Sequence, residues 1–478
     1  MGAQPLRDEC QPVFAVDLDD SLLKTDLLLE RIVNLAAHAP LNLLKIPLKL
    51  LGGKLSFKRW LSTETTLDYS TLPVRQEVLD RVKEARGRGE KTVLISASLN
   101  EDVLNIAQLY PFFDVSVGTS DINLKGSTKL KFLEETFPSA PITYVGDSLS
   151  DLDIWDKCQK IIAINPSPYL SWRIRSKSKL TEFIFDKSNN LKFLVRELRP
   201  YQWVKNVLVF LPVFAAHRFF DLGPWIAAAK TFLSFSFLAS AVYVFNDLCD
   251  LSSDRRQKSK NHRPLASGNL SLKTAILLIP ACLTLSVVFS WNLSPSVFHV
   301  LGCYLLMNIL YSFWVKKILV MDVVFLAGFY SLRIFAGGFA SEVSVSEWLL
   351  SFSVFFFFGL AMIKRFSEIK AQLLSASKTS RRAYDSQDLI TIQTSGICTS
   401  VLSILILALY LSTGEVKKLY SHPQILWFVT PVLLFWINRI WILGSRGLVK
   451  EDPLVFALKD KVTWAVGLIT AIIFLKAI

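Results

Sequence analysis

The sequence predicts two domains: an N-terminal α/β domain with a helical cap, then a C-terminal all-α membrane bundle of about nine transmembrane helices. Three observations predict it. Short strand-like apolar runs alternate with helical stretches up to about residue 165. Long apolar segments separated by polar loops fill the chain after Arg199. A mean hydropathy of +0.38, with 51% hydrophobic and only 19% charged residues, excludes a disordered chain, a collagen-like fibre and an ordinary soluble enzyme.

In the N-terminal part, VFAVDLDDS, TVLISAS, ITYVGDS and IIAIN each read as a strand followed by a helical stretch, the signature of a parallel sheet. The domain is expected over 1–165, with a basic linker over 166–198 and the membrane domain over 199–478. The opening MGAQPLRDECQPVF lacks the apolar run of a signal peptide, so the first domain is expected in the cytosol. Cys10, Cys158, Cys249, Cys282, Cys303 and Cys398 are scattered singly, which points to neither a disulfide framework nor a zinc site.

Nine apolar segments follow, at 204–217, 225–245, 272–291, 296–313, 319–340, 347–363, 396–413, 424–443 and 462–478. With the first domain inside, the cytosolic loops are 246–270, 314–318, 364–395 and 444–461. They hold 17 Lys and Arg, Lys378, Arg381, Arg382 and Lys450 among them, against Arg218, Lys417 and Lys418 outside. This asymmetry fits a multi-pass protein of the inner (cytoplasmic) membrane, with its soluble domain and active sites on the cytosolic side. It also accounts for the net charge of +13 without nucleic acid.

The segment VFAVDLDDS places Asp17 and Asp19 at a strand end, where a turn beginning at Leu18 lets Asp17 attack phosphorus while Asp19 handles the leaving-group proton. Ser96, a lysine in NLKGSTKLKFL, and Asp147 with Asp151 follow in order. Acidic groups hold Mg²⁺, the metal and lysine offset phosphoryl charge, and the hydroxyl donates to a phosphate oxygen. This constellation resembles the haloacid dehalogenase (HAD) superfamily of phosphatases. The resemblance implies a HAD-like Rossmannoid with a cap between Leu22 and Gly89, Asp17 as nucleophile, Asp19 as acid/base, Ser96 as phosphate ligand, and Asp17, Asp19, Asp147 and Asp151 around the metal. Lys129 is the preferred lysine, with Lys125 and Lys131 close enough to stay open. Within the cap, LNLLKIPLKLLGG reads equally as a membrane-surface segment or a buried helix.

After the second apolar segment comes FNDLCDLSSDRRQKSKNHRPLASG. Asn246, Asp250 and Asp254 recur every four residues, so on a helix they line one face, a donor set suited to Mg²⁺ and a substrate diphosphate. Lys258, Lys260 and Arg263 follow as a cationic wall. The motif resembles the NxxxDxxxD signature of the UbiA superfamily of intramembrane prenyltransferases, which implies a nine-helix, UbiA-like bundle with a Mg²⁺-diphosphate centre. A second aspartate-rich motif is missing, with Asp322 alone in its place. RPYQWVKN with Lys205 and Asn206, YSFWVK with Tyr311 and Lys316, Asp322, Arg333, and KRFSE with Lys364 and Arg365 resemble the branch that makes decaprenylphosphoryl-5-phosphoribose. In that branch phosphoribosyl pyrophosphate (PRPP) brings the diphosphate and polyprenyl phosphate is the acceptor. The basic residues are then expected to clamp phosphates; taken singly, most read equally as positive-inside anchors. Asp452 and Asp460 in the last cytosolic loop either close over the site or fix the loop, the second being preferred.

The combined expectation is a bifunctional enzyme with one Mg²⁺ site in each domain. It transfers 5-phosphoribose from PRPP to polyprenyl phosphate, and the HAD domain then removes the 5-phosphate. The alternatives are a prenyltransferase using polyprenyl diphosphate as donor to an aromatic or other acceptor, and a non-catalytic lipid-binding or transport protein.

Overall fold

The computed structural model describes residues 11–176, 179–186, 190–375, 384–449 and 452–478. Cys10, Lys378, Arg381, Arg382 and Lys450 lie outside these residues. The chain divides into two compact units: residues 1–197 with 243–279, and residues 198–242 with 280–478.

The first unit is built on a six-stranded parallel sheet: β1 (Val13–Val16), β2 (Lys91–Leu99), β3 (Val115–Thr119), β4 (Ile142–Gly146), β5 (Lys160–Ile164) and β6 (Leu180–Ile184). Their spatial order is β3-β2-β1-β4-β5-β6. β1 is central, with Val16 aligned to Leu94 on one side and Val145 on the other. Its four residues are all buried because helices cover both faces, so the strand reads as a continuous apolar run. The C-terminal ends of β2, β1 and β4 stand side by side, the edge at which parallel sheets place their ligands.

Two expectations are corrected here. Residues 166–198 are not a linker alone: Pro168–Arg175 is helical, and β6 pairs along its length with β5. The basic flanks conceal a five-residue strand, LTEFI, whose Ile184 joins the core. The helical insertion is also narrower than 22–89. The helix Gln76–Gly87 belongs to the sheet's own layer, since Val78, Leu79, Val82 and Ala85 face the core of Phe14, Val16 and Leu94. Helices Leu27–His38 and Lys54–Glu64 share a small separate cluster of Leu35, Phe57 and Leu61.

Residues 243–279 pack within this first unit. Arg255 donates to both oxygens of Glu30, at 3.0 and 2.7 Å, with both side chains almost wholly buried. Thr25 donates to the same carboxylate at 2.6 Å, and Lys273 reaches Asp20 at 2.8 Å. Gly268 has φ +70°, and a Cβ there would come within 2.9 Å of Lys24 Cβ and 3.0 Å of the Pro73 ring, so a side chain is excluded on both grounds.

In the chain as a whole, seven described helices are long and apolar enough to cross a membrane: Leu222–Cys249, Leu272–Ser290, Pro295–Phe313, Met321–Ser341, Glu347–Ala371, Ser386–Leu411 and Pro423–Ser445. The other two expected segments take different forms. The run at 204–217 is a 3₁₀ stretch Pro200–Phe210 leading into the short helix Leu211–Ala215, and the last is a 17-residue helix, Lys461–Ala477. The expected loop beginning at residue 364 is helical as far as Ser375, because buried Ile363, Phe366 and Ile369 carry the apolar face onward at three-residue intervals. The second unit's largest core gathers Tyr330, Phe357, Phe366, Trp436 and Trp441.

The Arg255–Glu30 pair yields a prediction. Glu30→Ala leaves a buried guanidinium without its carboxylate, at an expected cost of about 3–5 kcal/mol. That loss is read as a lowered thermal midpoint and faster amide exchange across residues 250–275; exchange unchanged from the parent would contradict it.

Candidate functional site

In the first unit the sheet edge assembles a charged cluster. Asp17 directly follows β1, and its Oδ1 accepts from the Leu18 N–H at 2.8 Å. The chain turns at once through Asp20, whose φ of 53° is tolerated by aspartate. Lys129 is buried on helix Ser127–Thr136 with its ammonium 2.7 Å from Asp17 and 4.0 Å from Asp151, whereas Lys125 and Lys131 are exposed. Tyr144 receives a hydrogen bond from Lys129 and donates to Asp151, each at 3.2 Å. Asp151 is also held by the N–H groups of Ser148 at 3.0 Å and Asp147 at 3.3 Å. Gly146 makes this approach possible, because a Cβ there would lie 2.8 Å from the Asp151 carboxylate.

Among the described residues, the one group of three or more His, Cys, Asp or Glu side chains with converging ligand atoms is Asp17, Asp147 and Asp151, all within 4.8 Å of one another. Burial, with neighbouring carboxylates, pushes Asp17 up to about 7 against the opposing pull of Lys129. Burial and then the charges of Asp17 and Asp151 push Asp147 up to about 8. One ammonium does not balance this many carboxylates. The donor set is oxygen-only, compact and short of positive charge, which fits a hard divalent cation.

Asp19, expected around the metal as well as in acid/base work, stands outside this triple. Its Oδ1 accepts from the Leu27 N–H at 2.9 Å, and its Oδ2 accepts from the hydroxyls of Ser96 at 3.0 Å and Ser98 at 2.6 Å. Its carboxylate is therefore turned toward the serines. Lys58, not singled out in the sequence, donates to the Ala97 carbonyl between those serines at 2.6 Å. Its position in the helical insertion, remote in sequence from the strand ends, gave no local signal.

The aspartate-rich segment begins on the last turn of helix Leu222–Cys249 and continues into helix Leu251–Arg256 with Asp250 at the junction. Backbone bonds from Asp250 to Asn246 and from Asp254 to Asp250, at 2.8 and 2.9 Å, hold the three residues one turn apart. Asp247, missed in the sequence, shares Arg263 with Asp254: the guanidinium donates to Asp247 at 2.9 Å and to Asp254 at 2.5 Å. Lys260 stands 3.5 Å from the other Asp254 oxygen, which is buried and has no hydrogen bond. Burial raises the Asp254 carboxyl against Arg263 and Lys260. A buried oxygen with no hydrogen bond, faced only by a lysine ammonium, is suited to positive charge. Lys258 is exposed.

The second unit holds a separate polar cluster. Lys205 and Lys364 converge on one oxygen of Asp452, at 2.7 and 3.4 Å, and Tyr330 donates to the same carboxylate at 3.3 Å. Burial works to raise the Asp452 carboxyl, but the two ammonium groups hold it well below the usual range. Asn206 accepts from Arg333 at 2.7 Å and donates to Ser236 at 3.0 Å, while Arg333 also reaches Tyr304 at 3.2 Å.

Asp322 and Arg365, expected to hold substrate, are spent on each other. They meet at 2.5 Å with side chains 0% and 1% exposed. Arg365 also donates to Tyr311 at 2.8 Å and Glu368 at 2.7 Å, and Tyr384 donates to Asp322 at 2.6 Å. Each of these buried charges is paired within the cluster. Lys316 is partly exposed on a single 3₁₀ turn, Val315–Lys317.

Fold and sites together define a multi-pass membrane protein with a buried polar interior, joined to a parallel α/β domain that carries a carboxylate–lysine cluster. The model of the UbiA prenyltransferase family matches residues 207–457, and the chain belongs to that family, making it a UbiA-family membrane transferase. Protein y4nM of Sinorhizobium fredii is 32% identical over 465 residues, covering 96% of this chain and 90% of its own. Nodulation protein NoeC of Azorhizobium caulinodans is 30% identical over 283 residues, 58% of this chain and 91% of its own. Decaprenyl-phosphate phosphoribosyltransferase of Corynebacterium glutamicum is 35% identical over 180 residues, 37% of this chain and 54% of its own.

Two predictions separate site from framework. In metal-free protein, Asp147→Asn relieves carboxylate repulsion and raises the thermal midpoint by a few degrees, about 1–2 kcal/mol, while abolishing the further rise that Mg²⁺ gives the parent. In the second unit, Asp322→Asn strands a buried guanidinium and lowers stability by about 3 kcal/mol. Lys364→Ala, at a partly exposed position, shifts stability by less than about 1 kcal/mol. Equal losses from both would erase the distinction.

Proposed function

We propose that this chain transfers 5-phosphoribose from PRPP to a polyprenyl phosphate and then removes the 5-phosphate from the lipid-linked product. The observation that carries the reading is the pairing, in one chain, of a phosphatase-like Asp17/Lys129/Asp147/Asp151 cluster with a UbiA-family domain whose buried cations suit a donor and acceptor rich in phosphate. The stretch shared with a protein named decaprenyl-phosphate phosphoribosyltransferase supports the same substrates.

In the transfer, an oxygen of the lipid phosphate bonds to C1 of the ribose as the C1–O bond to pyrophosphate breaks. The two electrons leave with the pyrophosphate. In the first unit, Asn246, Asp250 and Asp254 would hold a divalent cation, which would offset negative charge on pyrophosphate, with Lys258, Lys260 and Arg263 adding positive charge. In the second unit, Lys205 and Lys364 are assigned to phosphate oxygens, with Lys316 a further candidate. Asn206, Tyr311, Asp322, Arg333 and Arg365 are assigned to holding that surface in place.

The N-terminal domain is read as a HAD-like phosphatase. Asp17 bonds to phosphorus while the ribose 5-oxygen departs with a proton from Asp19; water then cleaves the aspartyl phosphate as Asp19 takes a proton back. Ser96 and Ser98 orient Asp19, and Lys129 neutralises the phosphoryl oxygens. A divalent cation such as Mg²⁺, held by Asp17, Asp147 and Asp151, supplies the remaining charge compensation when bound. The basic-loop asymmetry supports an inner-membrane location with both reactions on the cytosolic side.

The test is incubation of reconstituted protein with PRPP and radiolabelled polyprenyl phosphate. The parent gives a ribosylated lipid and pyrophosphate. Asp250→Ala lowers formation of both by at least about 100-fold, and Asp17→Asn accumulates the 5-phosphorylated lipid. Transfer from polyprenyl diphosphate to an aromatic acceptor, with no ribosylated lipid, would refute the reading.

A further inference from the structure

The helical insertion of the first unit carries an apolar stripe on its outer side. The 3₁₀ segment Pro40–Lys45 runs straight into helix Ile46–Leu51, with the junction residues in right-handed helical conformation. Leu43 and Ile46 turn inward onto Leu35, Phe57 and Leu61. Leu41, Leu44, Leu48 and Leu51 recur at intervals of three, four and three, one face of a helix, and are 79%, 80%, 70% and 84% exposed. Single exposed leucines are ordinary, but an aligned row of four is not.

The charge around this stripe has one sign. From Arg31 to Thr63 the chain has no acidic residue, while Lys45, Lys49 and Lys54 border the stripe. We propose that residues 40–54 lie in the interface of an anionic bilayer, the four leucines among acyl chains and the three lysines at the headgroups. Two considerations favour lipid over a second copy of the chain. An acid-free basic segment repels its own copy, and a multi-pass protein already sits in a bilayer, so no encounter from solution is needed. The consequence lies one turn further on. Helix Lys54–Glu64 follows directly and bears Lys58, which donates to the Ala97 carbonyl between Ser96 and Ser98 at the end of β2, so anchoring 40–54 holds that helix at a lipid surface. The location itself does not depend on the phosphatase reading.

The experiment places p-benzoylphenylalanine at Leu44, at Leu48, or at exposed Glu134 as control, in the full chain reconstituted into vesicles of phosphatidylcholine and phosphatidylglycerol. After irradiation, lipid adducts on the peptide containing residue 44 or 48 are expected at roughly tenfold the level at 134, and to fall when phosphatidylglycerol is omitted. Adducts no higher than the control, or adducts joining two chains, would overturn the proposal. Equal lipid labelling in pure phosphatidylcholine would overturn the anionic headgroup assignment. None of these outcomes depends on turnover of any substrate.

Discussion

The first unit turns on one buried ion pair, Arg255 with Glu30. Two parallel hydrogen bonds between nearly inaccessible side chains are poor evidence of net stability, since both ions lose their water. They are strong evidence of register. Neither charge tolerates another arrangement, so the residue following Asp254 is tied to helix Leu27–His38, and the same helix's first N–H is bound to Asp19. Sequence positions more than two hundred residues apart are thereby held in one compact unit. The crowded Gly268 and the Lys273–Asp20 contact act in the same direction. The aspartate-rich segment is thus braced by the α/β domain.

A second constraint is the imbalance of charge at the sheet edge. Proteins bury carboxylates when something compensates them, and here Lys129 compensates only in part. Hydrogen bonds from the N–H groups of Leu18, Asp147 and Ser148 orient the remaining oxygens without neutralising them. Burial first, and the neighbouring carboxylates with it, raise the Asp17 and Asp147 carboxyls. A cluster of this composition is costly without further positive charge, which sets it apart from a balanced structural ion pair.

Much of this was legible because the chemistry sits on local patterns. Strand-to-turn junctions such as VDLDD and VGDSLSD announce both their secondary structure and the end of the strand on which the acids fall, and the four-residue spacing of Asn246, Asp250 and Asp254 survives as real helical turns. What was hidden depends on burial and long-range pairing. Lys125, Lys129 and Lys131 are equivalent in one dimension; only packing buries one of them. β6 is masked by basic neighbours, and Asp247 and Asp452 acquire their partners from segments distant in sequence or across a turn. The helical continuation past Lys364 was obscured because charged residues interrupt an apolar stripe that continues through Phe366 to Ile369.

The division between arginine and lysine in the second unit has a physical logic. Arg333 and Arg365 are wholly buried, and their planar forks bind three partners each in fixed directions; withdrawing either would strand several polar groups at once. Lys205 and Lys364 instead share a single carboxylate oxygen through flexible stems. An ammonium can trade a carboxylate for a phosphate oxygen by torsion alone, with its charge compensated before and after. Residues of one charge thus fall into two kinds: arginines fixed by several partners each, and a lysine pair that shares one carboxylate oxygen. The KRFSE motif sets one of each kind in adjacent positions, Lys364 paired with Asp452 and Arg365 with Asp322.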